Sequence, residues 1–323
     1  MNKKKSIFND QRVIAALVAI ALIIVYMIFS KEFRKYSSIL SMLDFSYYTL
    51  LMAFGVTFPL ITAGVDLSIG TGMVCYALVG GTLIRNNNVP VAVAMLVCIL
   101  MGCAVGLLNG VLVGVMGLAP FIATLSTCMI TRGIGSMCNA TPWPTLKQPG
   151  GWFHSIFKLT FGQGRGATKF PIGFILVIII MFVMEFILFH TKFGRYTLAI
   201  GSNKEATRLS GINVKFYHVM VYVVCGFFAG LAAIAYAAVV PTVQPGTGAG
   251  LELDAIGGVF VGGVYATGGY GSIIGSFIGT MVIVLLKTGL PYIGLQANWQ
   301  QIITGAVLII AVLIDIMKKK RIQ

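Results

Sequence analysis

Acidic side chains in otherwise apolar stretches are the first candidates for chemistry in this sequence. Asp66 and Ser68 stand in TAGVDLSIGTG, and Glu252 and Asp254 stand in GLELDAIGG. A charge inside a long apolar stretch is costly and usually has a specific role. The acidic residues in each segment therefore have two interpretations. They cap the helix that follows, or they line a polar passage for a solute.

Enzyme chemistry has little support in the sequence. The histidines at 154, 190 and 218 form no HExxH pattern and no close cluster, and neither a GxSxG elbow nor a GxxxxGK[ST] loop occurs. The six cysteines form no CxxC pair and lie in or beside apolar segments. We therefore predict that the chain is not an enzyme, holds no metal or cofactor of its own, and binds no ATP through a P-loop.

A polar, basic link joins two long apolar runs at residues 194–216, with the sequence GRYTLAIGSNKEATRLSGINVKF. Ser202 and Glu205 match a capping box, in which the serine begins a helix and the glutamate reaches back to its amide. Gly211 suits the end of that helix. The sequence predicts a two-turn helix over 203–210. This helix either projects from the membrane domain as a rigid element or lies on lipid headgroups.

The composition places these elements in a membrane. The chain is 58% hydrophobic and 10% charged, which leaves too little polar surface for a soluble protein of this size. The net charge of +14 comes largely from cations beside apolar runs, at residues 3–5, 192–215 and 318–321. This pattern is typical of cytoplasmic flanks of membrane helices and argues against a nucleic-acid partner.

The apolar runs predict an all-α integral membrane protein with about ten transmembrane helices in one domain spanning residues 1–323. The predicted spans are 13–30, 43–63, 68–84, 91–116, 121–138, 170–190, 216–240, 253–266, 271–288 and 299–317. The eighth is short for a full crossing, so it is expected to be broken or re-entrant. Two basic termini predict that both are cytoplasmic, which an even number of spans allows.

Glycines recur every four residues in GCAVGLLNGVLVG (102–114) and in GSIIGSFIG (271–279). Such stripes predict close helix packing, and the alternative is a dimer seam or a sliding surface. The segments DLSIG (66–70) and DAIG (254–257) each open a glycine-rich stretch. Their similarity reflects either an internal duplication or chance.

Two further charges lie within predicted spans, at Glu185 and Lys287. We expect Glu185 to pair with a cation from a neighbouring helix. We expect the long side chain of Lys287 to extend its ammonium towards the membrane surface.

Several segments together resemble one known family. The link at 194–216, FGVTFPLITAGVDLSIGTG, APFIATLSTCMITRGI, GLELDAIGGVFVGG and WQQIITGAVLIIAVLID occur in the same order as in membrane permeases of ATP-binding-cassette importers of simple sugars, the ribose, galactose and xylose group. The resemblance covers about residues 40–135 and 190–317, and leaves out the outer segment 139–169.

The resemblance implies an arrangement of partners. Two permease subunits, either two copies or the chain and a paralogue, form the pathway in the lipid of a bacterial inner membrane. Two cytoplasmic ATP-binding subunits hold ATP and Mg, and each takes a coupling helix from the loop at about 191–215 into a groove. An extracytoplasmic sugar-binding protein delivers the substrate.

The resemblance also implies roles for particular residues. Coupling to the ATPase is assigned to the helix and its caps: Ser202, Asn203, Lys204, Glu205, Ala206, Thr207, Arg208, Leu209, Ser210 and Gly211. The substrate pathway is assigned to Asp66, Ser68, Phe121, Thr124, Glu252 and Asp254.

The sequence departs from the family pattern at Gly257 and Gly258, where other small residues such as alanine are more usual, and at Lys287, where a neutral polar residue is expected. These departures leave the sugar open. The alternative function is a secondary transporter of a small polar solute, in which Asp66 and Glu185 would hold the coupling ion.

Overall fold

A computed structural model describes residues 11–161 and 168–320 of the chain. The predicted basic cluster at residues 3–5 lies outside the described residues, as does Arg321. The helices are α1 (Gln11–Phe29), α2 (Tyr36–Ile61), α3 (Ile69–Asn87), α4 (Val91–Gly110), α5 (Pro120–Met137), α6 (Ile172–His190), α7 (Lys192–Ser202), α8 (Lys204–Leu209), α9 (Val214–Val239), α10 (Leu251–Val261), α11 (Ile273–Gly289) and α12 (Ala297–Lys320). A short antiparallel hairpin pairs β1 (Leu159–Phe161) with β2 (Thr168–Phe170).

Length and hydropathy identify helices that could cross a membrane. Among the described residues six helical stretches qualify: Gln11–Phe29, Tyr36–Ile61, Val91–Val115, Ile172–His190, Val214–Val239 and Ile273–Ile293. The chain is therefore an all-α, multi-pass membrane protein, and the predicted total of ten spans goes beyond this count. Helix α10 has 11 residues and a length of about 16 Å. It is short, as predicted for the eighth span.

Helix α2 lies at the centre of the molecule. Its residues from 46 to 61 are all buried. Within it, Thr57 donates a hydrogen bond to the carbonyl oxygen of Ala53 and lies 2.8 Å from the hydroxyl of Ser276 on α11. A polar group that is buried in apolar surroundings needs such partners. The central helix is therefore tied to α11 by a polar contact as well as by packing.

The first glycine stripe lies against α9. A Cβ added at Gly106 would overlap the carbonyl oxygen of Tyr222, and one added at Gly102 would lie 3.0 Å from the amide nitrogen of Gly230. In the opposite direction, a Cβ at Gly226 would overlap the carbonyl oxygen of Gly102. The backbones of α4 and α9 are thus in direct contact, which maximises dispersion attraction between them.

The second stripe joins α11 to α10 in the same way. A Cβ added at Gly279 would lie 2.7 Å from the Cα of Gly262, and one added at Gly262 would lie 2.8 Å from the amide nitrogen of Ser276. Both stripes are filled by helices of the same chain. The prediction of close packing is confirmed, and the alternative of a dimer seam along these stripes is wrong.

In the segment predicted to lie outside, the described residues 139–161 fold over one end of the helices. The indole of Trp143 is buried and donates to the carbonyl oxygen of Ala77 at 2.9 Å. Thr141 and Val243 form an isolated antiparallel bridge between this segment and the loop after α9. These contacts join separate parts of the chain, so this stretch is fixed in place over the ends of the helices.

Gly226→Ala should destabilise the protein. The added methyl group meets backbone atoms that cannot rotate away, and overpacking of this kind costs about 1–3 kcal/mol. Thermal unfolding of the detergent-purified chain measures the effect as a lower midpoint.

Gly133→Ala is the matched control. It also lies within a helix, and a Cβ there meets nothing within 4 Å in the described structure. We expect it to be neutral or stabilising by about 0.5–1 kcal/mol, since alanine favours the helix. Equal midpoints for the two variants would contradict the close contact of α4 with α9.

Candidate functional site

Helix α8 is capped at both ends, but its N-cap is Asn203. The Asn203 side-chain oxygen accepts from the amide of Ala206 at 2.9 Å. Ser202, the predicted cap, is instead the last residue of α7, so that prediction is wrong. The chain turns between the two helices at Asn203, which has an extended backbone with φ of −154°. The helix covers 204–209, one residue shorter at each end than predicted.

The C-terminal end of α8 agrees with the prediction. Gly211 has φ of +81°, and its amide donates to the carbonyl oxygen of Arg208 at 3.0 Å. This left-handed conformation is one that glycine adopts without strain. Gly211 is therefore confirmed as the residue that ends the helix.

The predicted capping role of Glu205 is also wrong. Because the N-cap is Asn203, Glu205 occupies the second helical position, and a capping box needs the third. Its carboxylate pairs with Arg208, one turn further along. The hydrogen bond and charge of the Arg208 guanidinium lower the pKa of the Glu205 carboxyl. The pair is present at neutral pH and is lost as pH falls through that lowered pKa.

Helix α8 turns one residue inward and exposes the others. Thr207 is buried, and its hydroxyl donates to the carbonyl oxygen of Asn203 at 2.8 Å. Lys204, Ala206 and Leu209 are exposed, with Leu209 78% exposed. The inner side of α8 is thus formed by Thr207, and the apolar side chain of Leu209 lies on its exposed side.

The neighbouring helices carry caps that sequence reasoning missed. Thr191 accepts from the amide of Gly194 at 3.3 Å and begins α7, and Asn213 accepts from the amide of Phe216 at 3.1 Å and begins α9. Each cap residue stands three positions before the amide that it binds, and this spacing is readable in the sequence. Residues 191–215 therefore form a helical structure with defined ends.

A chain of hydrogen bonds surrounds Asp66 at the start of α3. Its Oδ1 accepts from the amide of Ser68 at 2.9 Å and from the Ser68 hydroxyl at 2.6 Å. The side-chain amide of Asn109 donates to the Ser68 hydroxyl at 3.0 Å. The Thr127 hydroxyl donates in turn to Asn109 Oδ1 at 2.7 Å.

This network supports the capping interpretation of Asp66. The residue is 2% exposed and lies just before the positive end of α3. Ser68 is also buried. Asp66 and Ser68, two of the six predicted pathway residues, are therefore fixed by hydrogen bonds to each other and to Asn109. Asn109 and Thr127, which connect α4 and α5 to this site, were missed in the sequence because they resemble ordinary helix residues there.

The side chains of Phe121 and Thr124 lie outside this hydrogen-bond network. Thr124 is buried and donates to the carbonyl oxygen of Pro120 within its own helix at 2.8 Å. Phe121 is 57% exposed on α5. The two residues share a helix with Thr127, but their side chains point to different surroundings.

Glu252 lies where the first turns of α3 and α10 meet. Its Oε1 accepts from the amide of Gly250 at 3.0 Å, and its Oε2 is buried without a hydrogen-bond partner among the described residues. A Cβ added at Gly70 would lie 2.7 Å from the backbone nitrogen of Glu252. The two acidic segments, both of which the resemblance assigns to the substrate pathway, are therefore neighbours.

Asp254 and Lys287 form a buried ion pair between α10 and α11. The side chain of Asp254 is 4% exposed and that of Lys287 is 22% exposed. The prediction that Lys287 extends to the membrane surface is wrong, because an acidic partner lies within reach on the adjacent helix. Asp254 lies inside its helix whereas Asp66 precedes one, so the two acids occupy different structural positions.

Glu185 binds backbone amides and has no cation partner among the described residues. Its Oε2 accepts from the amides of Ile273 at 2.6 Å and Ile274 at 3.3 Å. These amides belong to the first turn of α11, where the helix dipole favours a carboxylate. The predicted ion pair is therefore wrong, and Glu185 of α6 caps another helix.

A cleft of about 340 Å³ lies between the end of α3 and the start of the 139–161 stretch. It is lined by Thr82, Arg85, Asn86, Asn139 and Thr141. None of the six predicted pathway residues lines this cleft.

Comparison with known proteins identifies the family. Residues 38–312 match a family described as a branched-chain amino acid transport system permease component. The chain belongs to this family of permeases.

The permease has relatives of known name along almost its full length. It is 33% identical over 322 residues to the ribose import permease protein RbsC of Escherichia coli strain K12, covering 98% of this chain and 96% of the relative. It is 31% identical to the galactose/methyl galactoside import permease protein MglC of the same strain, with 99% and 98% covered. It is 30% identical to the fructose import permease protein FruG of Bifidobacterium longum, with 97% and 93% covered. No solved structure matches the permease. The family resemblance seen in the sequence is confirmed.

Lys287→Met should destabilise the permease by about 3–5 kcal/mol, because it leaves the Asp254 carboxylate buried without its cation. The double variant Asp254→Asn with Lys287→Met removes both charges and should recover most of that loss. Chemical unfolding in detergent measures both. If the double variant is as unstable as Lys287→Met, the pair is not the source of the effect.

Proposed function

We propose that this permease is the membrane subunit of an ATP-driven importer for a monosaccharide or similar small sugar. The observation that carries the proposal is α8, a short helix with a cap at each end and an exposed outer side. The named relatives, which import ribose, galactose and fructose, support a sugar as the substrate. We place the permease in a bacterial inner membrane.

Helix α8 is proposed as the contact with a cytoplasmic ATP-binding subunit that holds ATP and Mg. A helix of six residues is unstable alone, yet Asn203, Gly211 and the inward Thr207 hold this one in shape. Lys204, the Glu205–Arg208 pair, Ala206 and Leu209 would fill a groove on that subunit. A helix held in this way can transmit the movement of a partner as rigid-body displacement.

The remaining partners follow from the orientation that we propose. We propose ten spans, with both termini and α8 in the cytoplasm and the 139–169 segment outside. A second permease copy or a paralogue would complete the pathway, and an extracytoplasmic binding protein would deliver sugar to the outer face.

We propose that the solute passes the meeting point of α3 and α10. The pathway residues remain those predicted: Asp66, Ser68, Phe121, Thr124, Glu252 and Asp254. Glu252 is the strongest of them, because one of its buried carboxylate oxygens has no hydrogen-bond partner among the described residues. A sugar hydroxyl could donate to that oxygen.

The ion-coupled alternative is less favoured by the geometry. The carboxylates that would hold the ion already accept hydrogen bonds, Asp66 from Ser68 and Glu185 from the first turn of α11. A cation would have to displace those donors.

Purification in mild detergent from native membranes tests the class of transporter. We expect a P-loop ATPase to copurify in stoichiometric amount, and ATP-dependent sugar uptake by proteoliposomes of the complex to persist with an ionophore present. Absence of an ATPase from a folded, intact preparation, with uptake abolished by the ionophore, would establish the ion-coupled carrier instead.

Loss of either α8 cap should impair uptake. Asn203→Ala removes the acceptor for Ala206, at a cost of about 0.5–2 kcal/mol in local helix stability. Gly211→Val places a branched residue at φ of +81°. We expect lower sugar uptake and weaker retention of the ATPase during purification in both variants.

Ser202→Ala is the control for these cap variants. Its exposed hydroxyl is not the cap, so uptake should stay at the wild-type level. Impaired uptake in Ser202→Ala, with normal uptake in Asn203→Ala, would restore the capping box inferred from sequence.

A further inference from the structure

Three backbone segments meet immediately before α8. They are the end of α7 at Gly201, the end of α2 at Ile61 and the α10–α11 loop at Gly269. The amide of Gly269 donates to the carbonyl oxygen of Ile61 at 2.8 Å. A Cβ added at Gly201 would overlap that same carbonyl oxygen and lie 2.5 Å from the Gly269 nitrogen. We call this meeting point the glycine junction.

The glycine junction has no room for side chains. A Cβ added at Gly269 would lie 2.9 Å from the Cα of Ser202, and one added at Gly268 would lie 2.8 Å from the amide nitrogen of Ala63. Both glycines have positive φ, at 83° and 77°. Contacts between backbones cannot relax by changing a rotamer, so a displacement of one segment must move the others.

The segments beyond the junction lead to the proposed pathway. After Ile61 the chain turns through Ala63, at φ of 59°, and reaches Asp66 and α3 within a few residues. After Gly269 it enters α11, whose first turn is bound by Glu185 of α6. Because α6 runs directly into α7, the segment that carries α8 is attached to α2 and α11 at two fixed points.

The other connection of α8 is less constrained. Residues 210–213 join it to α9, and a Cβ added at Gly211 would meet nothing within 4 Å in the described structure. The turn at Gly211 therefore lacks the close backbone contacts that are present at the glycine junction.

We propose that the glycine junction carries movement of α8 to the pathway, with Gly201 as a positioning residue and Glu185 as the second point of attachment. The inference rests on the proposed function, in which an ATPase moves α8. Displacement of Gly201 shifts the end of α2, and with it the turn that holds Asp66, while the α10–α11 loop moves in step.

Gly201→Ala tests the junction in the full importer. The permease is reconstituted in proteoliposomes with its ATPase and binding protein, with ribose, galactose and fructose as probes. The measurement is the amount of sugar taken up per ATP hydrolysed. We expect this ratio to fall by about tenfold, with ATP hydrolysis close to the wild-type rate. Gly305→Ala is the matched control within α12, since its Cβ meets nothing within 4 Å in the described structure, and it should keep the wild-type ratio.

Glu185→Gln provides a second test if Gly201→Ala does not accumulate in the membrane. It keeps the side-chain shape and one acceptor oxygen but removes the charge at the start of α11. We expect a smaller drop in the same ratio. Glu32→Gln, at an exposed glutamate paired with Lys35, is its control and should leave the ratio unchanged.

The outcomes separate the junction from the proposed function. If the wild-type complex takes up none of the sugars with ATP, the proposed function fails and the junction fails with it. If wild type couples normally and both variants keep its ratio, only the junction is overturned. Parallel loss of hydrolysis and uptake in an intact complex also overturns it, because the residues then support hydrolysis rather than transmission.

Discussion

Direct contact between backbones is the constraint on which the rest of this structure depends. In lipid, helices gain little from hiding apolar side chains, so their association relies on dispersion and on close approach. Glycines supply that approach where α4 meets α9 and where α10 meets α11. The same kind of contact recurs at Gly201, beside the helix proposed to meet the ATPase. Tight packing within the membrane and a firm attachment of α8 thus have one physical cause.

Helix ends account for several of the acids in the apolar part of the chain. Asp66 serves the start of α3, Glu185 the start of α11, and Glu252 the start of α10. Amides at the first turn of a helix lack partners within the helix, and no water is present in hydrocarbon to satisfy them. Carboxylates at these positions stabilise the starts of the three helices. Glu252 differs from the other two because one of its carboxylate oxygens has no hydrogen-bond partner among the described residues.

Sequence reasoning predicted the features that follow from local pattern. Glycine spacing predicted the packing stripes, the short eighth span predicted α10, and Gly211 was predicted correctly as the end of α8. It failed where the partner of a residue is remote in sequence. The ion pair of Lys287 with Asp254 and the hydrogen bonds of Glu185 to the first turn of α11 form only once the helices are packed. The N-cap of α8 is Asn203, one residue after the predicted Ser202, because α7 continues through Ser202. The polar composition of the link did not indicate that α7 extends so far.

The backbone character of the α4–α9 contact also limits how mutations in it can be repaired. When two side chains clash, trimming the neighbour restores the fit, so second-site revertants arise at the touching residue. At Gly106 the opposing atom is the carbonyl oxygen of Tyr222, which every amino acid carries. No replacement at position 222 removes it. Genetic suppressors of a larger residue at Gly106 would therefore have to shift a whole helix, and they should map to its ends or to its far side.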